Sequence, residues 1–387
     1  MLFIKNGRIY TMAGEIIENG SILIKDGKIL EVGKELVAPL DAKVIDAEGK
    51  MVFPGFIDAH SHLGMWEEGI GFEGSDGNEM VDPVTPHLRA IDGINPMDMS
   101  FEEAYKGGVT TAVTGPGSAN VIGGMFAAIK TYGKRVDDMI IKEPVAMKVA
   151  FGENPKRVYN DQKKSPITRM AIAAILRENL FKAKQYMEKK EGAKDDPSKM
   201  PEYDMKMEAL ERVLRREIPI KAHAHRADDI FTALRIAKEF DVDITLDHCT
   251  EGHLIADYLA REGKAAIVGP SLTERSKYEL KNLTFDTPRI LHEAGVKIAI
   301  TTDSPVIPLH YLPICAGLAH KSGLDEMEAL KAITINPAQI VGIDDRVGSI
   351  EVGKDADIVI FDGNPIKDIQ CKTYMTIIDG EIVYKNS

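Results

Sequence analysis

Apolar runs that stop at a histidine or an aspartate punctuate this chain. Met51-Val52-Phe53-Pro54-Gly55-Phe56-Ile57-Asp58-Ala59 ends in His60-Ser61-His62, and Ile220-Lys221-Ala222 ends in His223-Ala224-His225. Ile244-Thr245-Leu246-Asp247 stops at His248, and Ile298-Ala299-Ile300-Thr301-Thr302 stops at Asp303. Short apolar runs of this kind predict buried strands. Strand side chains alternate with period two, so both histidines of each His-x-His share a face. Further strands are expected at 108–114, 144–151, 242–246 and 265–268. Residues 229–238 have helical periodicity, and helices are expected near 255–260 and 289–293. Alternation of strand and helix over about 290 residues predicts an α/β fold with a parallel sheet, closed as an eight-fold barrel. In such barrels chemistry gathers at the C-terminal ends of the strands, where these histidines fall.

The ends of the chain have a different texture. Lys5-Asn6-Gly7-Arg8 and Lys25-Asp26-Gly27-Lys28 place Asn-Gly and Asp-Gly between apolar runs, a strong hairpin signal. Residues 357–363 and 376–384 repeat that style. Neither end is long enough to bury a sheet alone, so 1–52 and 345–387 are expected to join in one small β-sandwich around a barrel at 53–344. Residues 168–218 form an oversized helical excursion. Its charged stretch from Lys189 to Pro201 is read as a solvated, mobile loop, and Trp66 to Asn95 as a long lid.

Composition narrows the partners. The 387 residues carry a formal charge of -12, with no Lys/Arg block, which argues against nucleic acid and anionic membranes. A small-molecule substrate fits better, and a homo-oligomer is compatible with these features. No apolar stretch reaches the roughly twenty residues of a membrane span. The first residues turn polar too early for a secretory signal. The three cysteines, Cys249, Cys315 and Cys371, read as reduced thiols in a cytoplasmic protein. Cys249 adjoins His248 but is read as a small buried residue.

Imidazole and carboxylate together suit Zn²⁺ first, then Fe²⁺ or Mn²⁺. His60, His62, His223, His248 and Asp303 are therefore candidate ligands, with His225 placed for substrate contact. The glycine-rich stretch 115–124 is expected to follow a strand and to bring Ser118, Asn120 and backbone amides toward a substrate. Lys156, Arg157 and Arg226 follow strand ends and are candidates for binding a substrate carboxylate. His310 is a minor candidate for the pocket wall.

The motifs Pro54-Gly55-Phe56-Ile57-Asp58-Ala59-His60-Ser61-His62, Ala222-His223-Ala224-His225, Asp247-His248, Thr302-Asp303-Ser304-Pro305 and 348–359 resemble the amidohydrolase superfamily. The similarity is to its imidazolonepropionase-like and Xaa-Pro-dipeptidase-like branch. The resemblance implies a metal-dependent (β/α)8 TIM barrel with a composite β-sandwich, holding one or two divalent ions. It also implies hydrolysis of an amide, lactam or peptide-like C–N bond by attack of metal-bound hydroxide. By that resemblance His60, His62 and Asp303 hold one ion, and His223 and His248 hold a second. Asp303 then carries the proton. The bridging position of the fourth strand falls to Glu153 or to a carboxylated Lys148. Glu153 is preferred, because a bend at Gly152 would aim it inward. Two alternatives stand beside this reading. A deaminase of a nitrogen heterocycle lacks support, since no glutamate follows His223 at the usual spacing. A non-catalytic scaffold relative would have lost ligands that this chain keeps.

Overall fold

The computed structural model describes residues 1–193 and 196–386. Five strands open the chain: β1 (Leu2–Ile9), β2 (Ile17–Lys25), β3 (Lys28–Gly33), β4 (Lys43–Asp46) and β5 (Met51–Pro54). Eight more follow: β6 (Phe56–Ser61), β7 (Val109–Thr114), β8 (Ile122–Lys130), β9 (Ile140–Ala150), β10 (Ile220–Ala224), β11 (Ile244–His248), β12 (Ala266–Val268) and β13 (Ile298–Ile300). The last three are β14 (Ile358–Phe361), β15 (Thr373–Ile378) and β16 (Glu381–Lys385).

Both ends of the chain build one sheet, as expected. Its order is β16-β15-β14-β5-β1-β2-β3, with β4 on β1, and β14 from the C-terminal part lies antiparallel to β5. The expected sandwich is thus a single sheet that curls over. The β2–β3 hairpin returns against residues 354–356, where Ile29 N donates to Lys354 O and Ala356 N to Gly27 O. Asp26 and Gly27 hold positive φ at the turn, as an Asp-Gly hairpin requires. The curled sheet encloses Ile4, Ile22, Ile24, Val52, Ile358 and Ile360, all fully buried.

The barrel sheet runs β6 to β13 in chain order. One strand departs from the expectation of a parallel sheet. β8 is antiparallel to both β7 and β9, so the second and fourth barrel strands are joined through a hairpin-like excursion rather than a crossover helix. The other neighbours are parallel. β13 closes toward β6 through side chains and strand ends. Thr302 N donates to Asp58 Oδ2 at 2.9 Å, and His62 N to Ser304 O at 2.8 Å.

The helical excursion is firmer than expected at its start. Thr168 caps a helix over Arg169–Gly192, so residues 189–192 are helical rather than loop. Lys194 and Asp195, inside the stretch read as mobile, lie outside the described residues. A second helix, Met205–Leu214, lies alongside, and Lys190 ties the two by pairing with Glu208 and Glu211. On the far side of the barrel, buried Lys130 of β8 meets Asp355 and Asp357 beside β14, joining barrel and terminal sheet. No helix among the described residues is long and apolar enough to cross a membrane.

Candidate metal centre

Period-two alternation brings His60 and His62 to the barrel axis at the end of β6. Asp303 reaches the same point from beyond β13, its Oδ1 lying 3.3 Å from both His60 Nε2 and His62 Nε2. The remaining ring nitrogens each face an oxygen, that of His62 in a hydrogen bond and that of His60 at ion-pair distance only. His62 Nδ1 donates to the carbonyl of Gly115 at 2.7 Å, and His60 Nδ1 lies 3.0 Å from Asp247 Oδ2. Fixing one imidazole nitrogen in this way aims the lone pair of the other at a metal position. Asp303 Oδ1 is buried and has no hydrogen-bond partner. An orphaned carboxylate oxygen between two imidazole nitrogens is costly unless a cation completes it. The donor set therefore fits a divalent ion.

A second cluster sits beside the first. One nitrogen from each of His223, His225 and His248 lies within 4.8 Å of the others. His248 Nδ1 donates to Gly269 O at 2.8 Å, and its Nε2 is buried without a partner. Neighbours on β11 should face opposite ways, yet Asp247 and His248 both serve the site. Positive φ at His248 (71°) and Cys249 (49°) twists the strand end and makes this possible. Asp303 likewise holds φ 54°, and such strain in non-glycine residues clusters at functional sites. Burial pushes the His248 imidazole down to about 3 and holds His62, His223 and His225 below their ordinary range. Burial alone would raise the Asp303 carboxyl, but the imidazoles of His248, His60 and His62 hold it well below the usual range.

Two buried lysines lie beneath. Register pairs Lys148 of β9 with Lys221 of β10, so both point into the barrel. Lys148 Nζ is 3.3 Å from His60 Nε2, and burial pulls its ammonium down to about 8. Lys221 Nζ donates to Ala59 O and to Asp247 Oδ1, which steadies the carboxylate beside His60. Glu153, the preferred bridge, is elsewhere. It opens a helix at Glu153–Asp161, and its Oε2 accepts from Glu279 N at 3.3 Å. Gly152 does bend there, at φ 83°, but the bend serves another purpose. A Cβ at Gly152 would lie 2.7 Å from Glu279 Oε2 and 2.9 Å from Asp229 Oδ2. Of the two, Lys148 is the one whose terminal atom lies beside His60.

The mouth is a cavity of about 370 Å³ lined by His62, Ser118, Arg157, His223, His225 and Asp303, among others. Ser118 and Arg157 thus line this cavity, whereas Arg226, Asn120 and Lys156 do not. Arg226 forks onto Asp228 at the surface, and Asn120 is buried, donating to the carbonyls of Glu79 and Asp82. Asn120 thus pins the long 66–95 segment, and Lys156 does not line the cavity. His310 faces Glu103 at 3.5 Å, outside that wall. Cys249 is fully buried, and burial pushes its thiol up to about 12. Three residues of the site went unread in the sequence: Asn154, Lys277 and Glu279. Lys277 and Glu279 come from the loop after β12, which has no periodicity to mark them. Lys221 did carry a signal, two positions before His223 on the same strand face.

Comparison with known proteins agrees with this architecture. Residues 51–383 match the Amidohydrolase family. A solved amidohydrolase from Thermotoga maritima MSB8 is 46% identical, covers 100% of both chains and superposes with a TM-score of 0.97. Amidohydrolase tasK of Hapsidospora irregularis is 31% identical over 85% of this chain, which spans 36% of that relative's length. An imidazolonepropionase from Symbiobacterium thermophilum is 26% identical, over 93% of this chain and 90% of its own. The chain belongs to the amidohydrolase family. It is a hydrolase acting on C–N bonds.

Proposed function

We propose that this hydrolase is metal-dependent and cleaves an amide, lactam or peptide-like C–N bond at the mouth of the barrel. The observation that carries the reading is the orphaned Asp303 Oδ1, held 3.3 Å from two imidazole nitrogens, with the His62 ring hydrogen-bonded from behind and His60 backed by Asp247. His60, His62 and Asp303 would hold one divalent ion, Zn²⁺ by donor preference, with Lys148 adjoining it as a neutral amine or a carbamate. An ion there would supply Lewis acidity and make water more acidic.

The chain's own residues do the rest. Asp303, a carboxylate whose Oδ1 has no hydrogen-bond partner, would accept a proton from water and return it to the leaving nitrogen. Arg157, at the cavity wall, would receive an anionic group of the substrate, and Ser118 a polar one. Trp66 packs edge-on against His62 with ring centroids 5.0 Å apart, shielding that imidazole from bulk water.

The test is a screen of N-acyl amino acids, dipeptides, lactams and hydantoins, run before and after chelation and after adding Zn²⁺, Fe²⁺ or Mn²⁺. Turnover should vanish on chelation and return with metal. Undiminished turnover in protein shown to be metal-free would reject the reading.

A further inference from the structure

The second histidine cluster already holds a positive charge. Lys277, from the loop after β12, brings its Nζ 2.8 Å from Glu279 Oε1 and 3.2 Å from His225 Nε2. It also donates to Asn154 Oδ1 at 3.0 Å, and the Nδ2 of the same amide is 3.5 Å from His223 Nε2. An ammonium has three donors, and here three acceptor atoms surround it.

Those acceptors are the ones a second ion would use. Glu279 is fully buried, and its Oε1 lies 3.8 Å from His223 Nε2 and 3.6 Å from His225 Nε2. Its position is fixed from the other side, where Oε2 accepts from Glu153 N at 3.0 Å. His225 is fixed too, with Nδ1 2.7 Å from Thr250 Oγ1, so its Nε2 lone pair is aimed at the ammonium. The side chain of Lys277 is only 16% exposed, so water screens it little.

We propose that the Lys277 ammonium is the resident cation of this half of the site and competes with a second metal ion for Glu279, His225 and His223. The inference rests on the metal-centre reading above and adds to it an asymmetry. In the His60–His62–Asp303 half Lys148 lies 3.3 Å from His60 Nε2 but makes no ion pair among the described residues, whereas Lys277 is held in the His223–His225–His248 half by Glu279 at 2.8 Å. Like charges a few ångströms apart in a shielded site repel strongly, so a second ion must displace Lys277 before it binds. Displacement is possible because the lysine sits on a loop, not on a strand.

Metal binding to the full-length protein tests this. Protein stripped of metal is titrated with Zn²⁺ against a chromophoric chelator, and the ions retained after dialysis are counted by mass spectrometry. The wild type should retain one equivalent and bind the next weakly. Lys277→Met and Lys277→Gln, which remove the charge, should bind that next equivalent at least about tenfold more tightly. Thermal melting checks that both variants are folded. Equal affinity for the second ion in wild type and both variants would overturn the proposal, as would one retained equivalent in all three with no gain. If none of the proteins retains any ion, the metal-centre reading fails, and the proposal with it. That result is distinct from a failure of the competition alone.

Discussion

At the scale of single residues, the site separates groups that hold an ion from groups that move a proton. Asp303 has both duties. Asp303→Asn keeps an oxygen facing His60 and His62 but loses the anion, so turnover should fall by about 10²–10⁴-fold. Most of the metal should remain, as mass spectrometry of the purified variant would show. Retained turnover would remove the proton-carrying role. Lys148 and Glu153 give a second contrast. Lys148 Nζ lies 3.3 Å from His60 Nε2, whereas Glu153 is bound to the amide of Glu279. Lys148→Ala should therefore lower metal retention and Glu153→Ala should not, a difference that metal counting resolves. The sequence made the histidines and Asp303 legible because each ends an apolar run. It left Glu153 and Lys148 open because strand parity alone does not say where the strand stops. β9 ends at Ala150, so Glu153 is already on the following helix.

At the scale of elements, β8 is the strand the sequence concealed. Ile122-Gly123-Gly124-Met125-Phe126-Ala127-Ala128-Ile129-Lys130 is buried throughout, so it has no alternation to mark it as a strand. Its paired glycines read instead as part of a loop. Glycine is required there, since a Cβ at Gly124 would meet the carbonyl of Leu88 at 2.6 Å. The strand ends at Lys130, whose buried ammonium pairs with Asp355 at 2.9 Å and Asp357 at 2.6 Å. Burial would lower the pKa of Lys130, but Asp357, Asp379 and Asp355 outweigh it and raise it to about 12. A raised lysine pKa stabilises the fold below the unfolded value near 10.5, and that stability is lost as pH climbs through about 12. Lys130→Met should cost about 3–5 kcal/mol at pH 8, because it strands buried carboxylates. The gap to wild type should narrow in urea denaturation as pH approaches 12. A gap that stays constant would show that the charge is not what matters.

At the scale of the whole molecule, one carboxylate gathers much of the bonding that closes the barrel. Asp58 is fully buried on β6 and accepts from His60 N, Thr301 Oγ1, Thr302 N and Thr302 Oγ1. Four donors from the first and last barrel strands thus meet on a side chain two residues before His60. Asp58→Ala should lower stability by at least about 3 kcal/mol, since several buried donors lose their partner at once. It should also weaken metal retention by loosening His60 against Asp303. Denaturation and metal counting on the same samples would show both, and normal metal content in a destabilised variant would uncouple closure from the site.

The join between the two chain ends has a consequence for biosynthesis. β5 is laid down early, but the strand that covers one of its edges, β14, begins only at Ile358. While the ribosome makes the intervening three hundred residues, that edge keeps unsatisfied backbone groups beside the greasy side chains of Val52 and Phe53. A nascent chain in that condition invites sticking to its neighbours, and the exposure ends only when β14 has been made and pairs with β5.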